Sequence, residues 1–214
     1  MNIAVIGKGG HSKVIEELIK NDKENNIVGF FDDKYLDFTI ENNIYYGPIL
    51  SATKMIEFFC DVKFVIAIGN NRIRKRIFDD LDIPDYYYTT LVHQSAVISK
   101  SAKIGTGTVI FANAVVNADA KIGSHSIINS SSMIEHDNNI GDFVHISPNA
   151  TLTGSVEIED GVHIGAGATI IPNVKVEKWS VIGAGATVIS NIPSNSTAVG
   201  VPAVVKSKKV IGGV

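Results

Sequence analysis

Cut every six residues, the stretch from Val97 to Ile192 reads VISKSA, KIGTGT, VIFANA, VVNADA, KIGSHS, IINSSS, MIEHDN, NIGDFV, HISPNA, TLTGSV, EIEDGV, HIGAGA, TIIPNV, KVEKWS, VIGAGA and TVISNI. The second residue of every hexad is Ile, Val or Leu, and the sixth is mostly small or β-branched. An α-helix with 3.6 residues per turn would spread a six-residue period around all its sides. Short strands joined by tight turns instead point one aliphatic side chain inward per strand, so three hexads close a triangular coil of 18 residues (3 × 6). The pattern predicts a parallel β-helix without a long insertion.

Glycines recur at the third position of several hexads, where the chain should turn a corner of the triangle. We expect them to supply a positive φ there, because glycine adopts it without steric strain. These glycines are Gly105, Gly123, Gly141, Gly165 and Gly183.

The first part of the chain has a different rhythm. An apolar run at 2–6 is followed by the turn GKGGHSK and a helix-like segment, and a second strand, IVGFF, follows at 27–31. A third strand, VKFVIAIG, ends at Gly69 and leads into the helix-like NNRIRKRIFDDL. Strands alternating with helices predict a small Rossmann-like α/β domain with a parallel sheet. We predict four segments, which are the α/β domain at 1–82, a connection at 83–96, the β-helix at 97–192 and a C-terminal tail at 193–214.

Composition narrows the classes of function. The net charge of -3 and the absence of any concentrated run of Lys or Arg argue against nucleic-acid binding. The one cysteine, Cys60, excludes an internal disulfide and fits a reducing compartment. Because the N-terminus lacks a long apolar stretch and no segment approaches ~20 apolar residues, we expect a cytoplasmic protein with no membrane span.

The turn GKGGHSK lies where backbone N–H groups and a helix N-terminus can approach a phosphate. Its spacing is not the dinucleotide fingerprint, because Ser12 stands where the third glycine would fall. An ordinary tight turn explains the motif equally well by itself. Asp32 and Asp33 close the second strand, a position that commonly contacts a ribose or a base, so we favour a nucleotide-bearing ligand and not a dehydrogenase.

The 18-residue coil predicts where the histidines lie on the β-helix. His136 and His145 are nine residues apart, or half a coil, so they should lie on different parts of the triangle. Steps of 18 residues should stack Gly154 over His136, His163 over His145 and Ala184 over Ala166. His125 is expected to be a solvated coil position.

His136 differs from the other histidines because carboxylates flank it in Glu135-His136-Asp137. A carboxylate that accepts a hydrogen bond from an imidazole fixes its tautomer and lets the other nitrogen abstract a proton. The sequence leaves open whether Asp137 or Glu135 plays that part. A cysteine nucleophile is not expected, since Cys60 lies outside the repeats.

Over nearly its whole length the chain resembles the bacterial hexapeptide-repeat sugar acyltransferases, a family that includes UDP-4-amino-sugar N-acetyltransferases and proteins like sialic acid O-acetyltransferase. The resemblance rests on the ordered set GKGGHSK, FFDD, IAIGNNRIRKRI, IEHDNNIGDFVHISPNATLTG and GVPA. It implies a β-helix that is left-handed, an exception to the usual crossover rule. It also implies a homotrimer with active sites between subunits.

The resemblance also implies roles for residues. The catalytic pair would be His136, as general base, and Asp137, where the relatives usually have Glu. Acetyl-CoA would be the cosubstrate, with no metal, and it would be bound by His145 beside the thioester, the Gly154 N–H at its carbonyl, and Ala166 and Ala184 along the pantetheine. The uridine and diphosphate would be held by His11, Ser12, Lys13, Asp32, Asp33 and Gly69.

We therefore expect direct acetyl transfer from acetyl-CoA to the amino group of a nucleotide-linked amino sugar in polysaccharide biosynthesis. A UDP-4-amino-4,6-dideoxy sugar is the first choice of acceptor. A GDP- or dTDP-linked amino sugar and the hydroxyl of a sialic acid-type sugar are the alternatives. Two other classes stay open: a metal enzyme on the same helix, for which the close HxxxxH pair is missing, and a non-catalytic hexapeptide scaffold.

Overall fold

The computed structural model describes residues 1–206, so the last part of the predicted tail, 207–214, lies outside the described residues. The N-terminal part contains a five-stranded sheet in the order β3-β4-β2-β1-β5, in which only the β3–β4 pair is antiparallel. Its strands are β1 (Asn2–Ile6), β2 (Asn26–Phe31), β3 (Thr39–Glu41), β4 (Ile44–Gly47) and β5 (Val62–Ile66). Its helices are α1 (Gly10–Lys20), α2 (Met55–Phe58) and α3 (Asn71–Leu81), with 3₁₀ segments at Ile49–Lys54 and Asp85–Tyr87.

The α/β domain predicted from the alternating pattern is confirmed, with a β3–β4 hairpin that the pattern did not indicate. β1 is flanked by parallel strands on both sides, and Ile3 to Ile6 are fully buried. In α1, Ile15, Leu18 and Ile19 are buried at the helical spacing i, i+3, i+4. The carboxyl end of β1 and the amino end of α1 therefore meet at the Gly-rich turn at residues 7–9.

The hexads form the predicted parallel β-helix. Each hexad starts a two-residue strand, from β7 (Val97–Ile98) to β22 (Thr187–Val188), and strands 18 residues apart pair in register. β6 (Leu91–Val92) precedes the array, and β23 (Thr197–Val199) and β24 (Val204–Val205) follow it. The intervening strands are β8 (Lys103–Ile104), β9 (Val109–Ile110), β10 (Val115–Val116), β11 (Lys121–Ile122), β12 (Ile127–Ile128), β13 (Met133–Ile134), β14 (Asn139–Ile140), β15 (His145–Ile146), β16 (Thr151–Leu152), β17 (Glu157–Ile158), β18 (His163–Ile164), β19 (Thr169–Ile170), β20 (Lys175–Val176) and β21 (Val181–Ile182).

Three flat sheets make the faces of a triangular prism. We call face 1 the sheet from β7 to β22, face 2 the sheet from β8 to β20, and face 3 the sheet from β6 to β24. The chain passes from face 1 to face 2 to face 3 in each coil, so the prism has corners 1/2, 2/3 and 3/1. The interior is a column of aliphatic side chains, of which Ile110, Ile128, Ile146 and Ile164 on face 3 are fully buried.

The expected role of the third-position glycines is wrong. Gly105 and Gly123 are absent from the positive-φ residues, and the positive φ falls instead on the fifth position of the hexads, as at Asn113 (58°) and Asp119 (59°). A Cβ on Gly105 would lie 2.5 Å from the carbonyl carbon of Gly123 in the next coil. Glycine is therefore needed at the third position because neighbouring coils approach closely.

The expectation for His125 is also wrong. Its side chain is only 2% exposed and stacks on Phe143 at 5.2 Å, with Phe78 and Tyr88 on its other sides. His125 stands at corner 2/3, and α3 of the N-terminal domain lies against that corner. Domain packing therefore buries a position that would be solvated on an isolated β-helix.

Candidate active site

His136 and Asp137 form a pair at corner 1/2, directly after β13 and Glu135. Nδ1 of His136 lies 2.8 Å from Oδ2 of Asp137, and both side chains are more than half exposed. Asp137 has a left-handed backbone (φ 59°), which turns its carboxylate back toward the preceding ring. The hydrogen bond that the ring donates to Asp137 raises the pKa of His136, and the charges of Asp137 and Glu135 act in the same direction. The arrangement leaves Nε2 directed away from the carboxylate.

Glu135, the other flanking carboxylate, is engaged elsewhere. Its Oε2 accepts a hydrogen bond of 2.9 Å from Nδ2 of Asn117, one coil earlier. The geometry therefore brings Asp137, and not Glu135, to the imidazole of His136.

Gly154 lies one coil beyond His136, as the 18-residue step predicted. A Cβ on Gly154 would be 2.7 Å from Cε1 and 2.8 Å from Nε2 of His136, so only glycine leaves the ring its place. Within residues 1–206 the Gly154 N–H donates to no other backbone group. A backbone donor and an imidazole nitrogen thus lie side by side at an exposed corner.

Asp137 of the His136–Asp137 pair lines a cleft of about 360 Å³ on face 2. Lys103 and Lys121 line this cleft and are paired directly across neighbouring strands. The lining also includes Asp119 and Asp137, so the cleft offers space beside the pair and side chains of both charges.

His145 lies on face 3 in a buried environment, with 9% exposure. Nδ1 is 3.3 Å from the carbonyl oxygen of Gly69, which can only accept, so Nδ1 carries the proton. Nε2 lies 3.2 Å from Nδ2 of Asn129 and accepts from it. Burial, followed by the charges of His163 and Arg74, lowers the pKa of His145 to about 3. His145 is therefore a neutral imidazole with both nitrogens hydrogen-bonded.

His163 stacks over His145 as predicted, with 4.8 Å between the ring centroids. On the other side of His145, the ring of His11 from the start of α1 lies 6.3 Å away. Nε2 of His11 is buried and has no hydrogen-bond partner among the described residues, and burial lowers its pKa to about 4. The structure thus brings His11, Gly69 and His145 together where the two domains meet.

The other residues predicted to hold a nucleotide mostly support the backbone of the turn. Ser12 is buried, and its Oγ donates to the carbonyl of Gly9 at 2.8 Å. Asp32 accepts a 2.7 Å bond from the Lys8 N–H. Asp33 accepts from the N–H of Ile49 at 3.1 Å, and Lys13 is exposed. These carboxylates shape a loop at the carboxyl ends of β1 and β2.

Ala166 and Ala184 stack at corner 3/1 and are exposed, and the Gly185 N–H donates to the carbonyl of Ala166 at 2.8 Å. His136 is at corner 1/2, on the opposite edge of face 1. One chain therefore does not bring the predicted catalytic pair and the predicted pantetheine column into one place.

Sequence reasoning missed Arg74, Asn71 and Asn129, which hold the cluster on face 3. A signal for Arg74 was present, because it falls on the same side of α3 as the buried Ile77 and Leu81, at i+3 and i+7. A charged residue on the apolar side of a helix requires an acceptor set across the domain junction.

Among residues 1–206 no group of three or more His, Cys, Asp or Glu side chains is arranged to hold a metal ion. The helices in that part of the chain are all too short or too polar to cross a membrane.

Stacked hexads with an exposed His–Asp pair at a corner, joined to an α/β domain with a Gly-rich turn, define a protein of the hexapeptide-repeat class. The profile of the PglD N-terminal domain matches residues 2–81, and that of the bacterial transferase hexapeptide (six repeats) matches 139–171 and 155–190. UDP-N-acetylbacillosamine N-acetyltransferase of Bacillus subtilis is 46% identical over 111 residues, which are 52% of this chain and 51% of that protein. The alignment thus spans about half the length of this relative.

Two solved structures match along nearly the whole chain. The acetyltransferase domain of PglB from Neisseria gonorrhoeae, in complex with acetyl coenzyme A, is 33% identical with a TM-score of 0.81, and the match covers 96% of this chain and 98% of that one. A histidine-to-asparagine variant of perosamine N-acetyltransferase from Caulobacter crescentus, in complex with CoA and GDP-perosamine, is 28% identical with a TM-score of 0.86 and 97% coverage of both chains. The chain belongs to the bacterial hexapeptide-repeat sugar acetyltransferases, and the predicted fold, an α/β domain followed by a left-handed parallel β-helix, is confirmed.

Proposed function

We propose that the protein transfers the acetyl group of acetyl-CoA to the amino group of a nucleotide-linked amino sugar. The observation that carries this proposal is the His136–Asp137 pair with the Gly154 N–H one coil away. It combines a base of fixed tautomer with an oxyanion donor, which are the two groups that acyl transfer needs. The complexes of relatives with CoA, acetyl coenzyme A and GDP-perosamine support both substrates.

In the proposed reaction the sugar amine attacks the thioester carbonyl carbon while Nε2 of His136 removes a proton from the nitrogen. Asp137 stabilises the imidazolium that forms through its bond to Nδ1. The Gly154 N–H donates to the developing oxyanion, a contribution of about 3 kcal/mol for one such donor. The carbon–sulfur bond then breaks, and the proton on His136 passes to the departing CoA sulfur. No acyl-enzyme forms.

Two spatially separate groups of residues support a site shared between copies of the chain in a homotrimer. His136, Asp137 and Gly154 occupy corner 1/2, whereas His145 lies on face 3 beside the α/β domain and Ala166 and Ala184 lie at corner 3/1. In a ring of prisms, corner 1/2 of one copy can face the other group of its neighbour. His11, Lys13, Asp32 and Gly69 would then hold the nucleotide at the edge of that cleft.

Complementation tests the shared site. Chains carrying His136→Ala and chains carrying His11→Ala are each expected to be inactive. If every site takes one group from each of two copies, co-expression of the two variants should restore activity at about a quarter of the sites. Sedimentation of a species of about 69 kDa (3 × 22.9) should accompany that recovery. No recovery in a mixed trimer would place both groups in one chain and contradict the proposal.

The acceptor is proposed to be a UDP-4-amino-4,6-dideoxy sugar, ahead of a GDP- or dTDP-linked amino sugar. The similarity to a UDP-N-acetylbacillosamine N-acetyltransferase supports the uridine nucleotide, and the N-acetyltransferases among the relatives support an amine over the hydroxyl of a sialic acid-type sugar. Release of CoA thiol, measured against a panel of these sugars at equal concentration, ranks the candidates. Acetylation of hydroxyl sugars alone would overturn the choice.

We further propose that the reaction takes place in the cytoplasm as a step in polysaccharide or glycan precursor synthesis. The exposed, unpaired Cys60 supports a reducing compartment. A non-catalytic scaffold or a metal enzyme would be revealed by absence of acetyl-CoA binding or by stoichiometric metal in the purified protein.

A further inference from the structure

The guanidinium of Arg74 is a buried cation without a carboxylate partner. Its side chain is 2% exposed, and no ion pair within residues 1–206 includes it. Burial lowers the pKa of Arg74 to about 9, which leaves the group protonated at neutral pH. A buried charge of this kind persists only where polar groups replace its hydration.

Backbone carbonyls provide that replacement on the β-helix side. Nε of Arg74 donates to the carbonyl of His125 at 2.8 Å, and Nη2 donates to that of Phe143 at 2.9 Å. These two residues are 18 positions apart and stack at corner 2/3. Asn71, which accepts from Nη2 of Arg74 at 2.9 Å, donates to the carbonyl of Gly161, the next residue in the same column. Arg74 and Asn71 together thus donate hydrogen bonds to three successive coils.

On the other side, Arg74 holds the loop that follows β5. Nη1 donates to the carbonyl of Ile68 at 2.8 Å and to that of Gly69 at 3.3 Å. The carbonyl of Gly69 is also the acceptor for Nδ1 of His145. One guanidinium therefore connects the coil that carries His145 with the loop carbonyl that fixes the protonated nitrogen of its ring.

We propose that Arg74 is a positioning residue of the reaction, which sets the place of the Gly69 carbonyl and, through it, the orientation and tautomer of His145. This role rests on the proposed function, since His145 and Gly69 are the residues predicted to meet the acetyl thioester and the nucleotide. Arg74 touches neither substrate in this scheme. Its effect passes through a loop of two residues and one imidazole.

The positive charge of Arg74 also favours the neutral form of the histidines around it. It contributes to the lowering of the pKa of His11, His145 and His163, which all face the junction. A neutral His145 can keep the single arrangement in which Nδ1 donates and Nε2 accepts from Asn129. Protonation would put a donor on Nε2 opposite the amide group and disrupt the arrangement.

The test compares Arg74→Gln and Arg74→Lys with the matched control Arg76→Gln, an exposed arginine on the same helix. Arg74→Gln should raise the KM for the nucleotide sugar and lower kcat, each by about tenfold. The reason is that the carbonyl of Gly69 and the imidazole of His145 would no longer be held by the same guanidinium. The KM for acetyl-CoA should also rise, because His145 is predicted to lie beside the thioester, but by less than the KM for the nucleotide sugar, since the pantetheine column at corner 3/1 is untouched. Arg74→Lys keeps the charge but not the fork of donors, so its kinetic losses should be intermediate.

A ¹⁵N–¹H NMR spectrum of the histidine rings gives a readout that needs no catalysis. His145 should show only the Nδ1–H tautomer in wild type and in Arg76→Gln, and a mixture in the Arg74 variants. If Arg74→Gln does not fold, Arg74→Lys carries the test through the same spectrum. An unchanged tautomer with unchanged KM and kcat in a folded variant would reduce Arg74 to a structural residue. Failure of the proposed function would appear differently, as wild type that turns over no amino sugar.

Discussion

Two histidines nine residues apart occupy opposite environments. At corner 1/2, His136 is exposed, hydrogen-bonded to a carboxylate, and has a raised pKa. On face 3, His145 is buried between other imidazoles near Arg74, and its pKa falls to about 3. The first can exchange a proton with a ligand, whereas the second has both nitrogens committed and stays neutral. The same residue type therefore serves as a base at the corner and as a fixed hydrogen-bonding group on the face.

The largest effect should come from the corner. His136→Ala should lower kcat at least about 100-fold, because the amine loses its proton acceptor. The measurement is CoA thiol release with a nucleotide amino sugar, together with acetyl-CoA affinity, which should be nearly unchanged. Near-normal turnover in a folded His136→Ala protein would remove the contrast between the two histidines.

Gly154→Ala should come next. The new Cβ would lie 2.7 Å from Cε1 of His136, and since Gly154 has no positive φ, steric displacement of the ring is the expected effect and not backbone strain. We expect kcat to fall about 30-fold. Ser155→Ala, one residue further at the same corner, is the control, and an equal loss in both variants would contradict a steric cause.

The carboxylate that orients the base can be identified by titration. Asp137→Asn should lower the pKa of His136 toward about 6.5, because the hydrogen bond that His136 donates to Asp137 is the largest cause of the raised pKa. The base form exists above that pKa, so the rising acidic limb of the kcat profile should move to lower pH, and the maximum should fall about tenfold. Glu135→Gln should change the position of the acidic limb and the maximum kcat far less, since Glu135 is hydrogen-bonded to Asn117. A larger shift in Glu135→Gln would reverse the assignment.

The smallest expected effect is on the free energy of unfolding, through the buried His125. Burial lowers the pKa of His125 to about 4, so the unfolded chain binds its proton more readily between pH 4 and about 6.5. Stability is therefore full above about pH 6.5 and declines as the pH falls toward 4, by at most about 1.4 kcal/mol per pH unit for this group.

His125→Phe should weaken that dependence. Both ring nitrogens of His125 are buried without a partner among the described residues, and Phe143 already occupies the same left-handed corner position one coil later. We expect the variant to be about 1 kcal/mol more stable at pH 8. Urea unfolding at pH 8, 6 and 5 measures both effects, and an unchanged slope with pH would contradict the assignment.

The sequence predicted the β-helix because a six-residue period held in register over 96 residues fits stacked short strands and not an α-helix, and favours them over short strands in another β fold. It also predicted that Gly154 lies over His136 and His163 over His145, since in-register coils convert chain distance into spatial distance. The Gly-rich turn between β1 and α1 was likewise visible in the pattern. The roles of the site residues in catalysis and binding stay predictions.

Apart from Arg74 on the apolar side of α3, the local sequence gave no sign of which residues the junction between the domains would bury. The hexad rule assigns His125 to a solvated corner, yet α3 covers it, and the same docking places His11 and Gly69 against His145. The repeat determined the spacing along the prism because that spacing depends only on neighbouring coils. Burial, the charge of Arg74 and the resulting pKa values depend on contacts between residues 51 and 76 positions apart, so only the tertiary structure decided them.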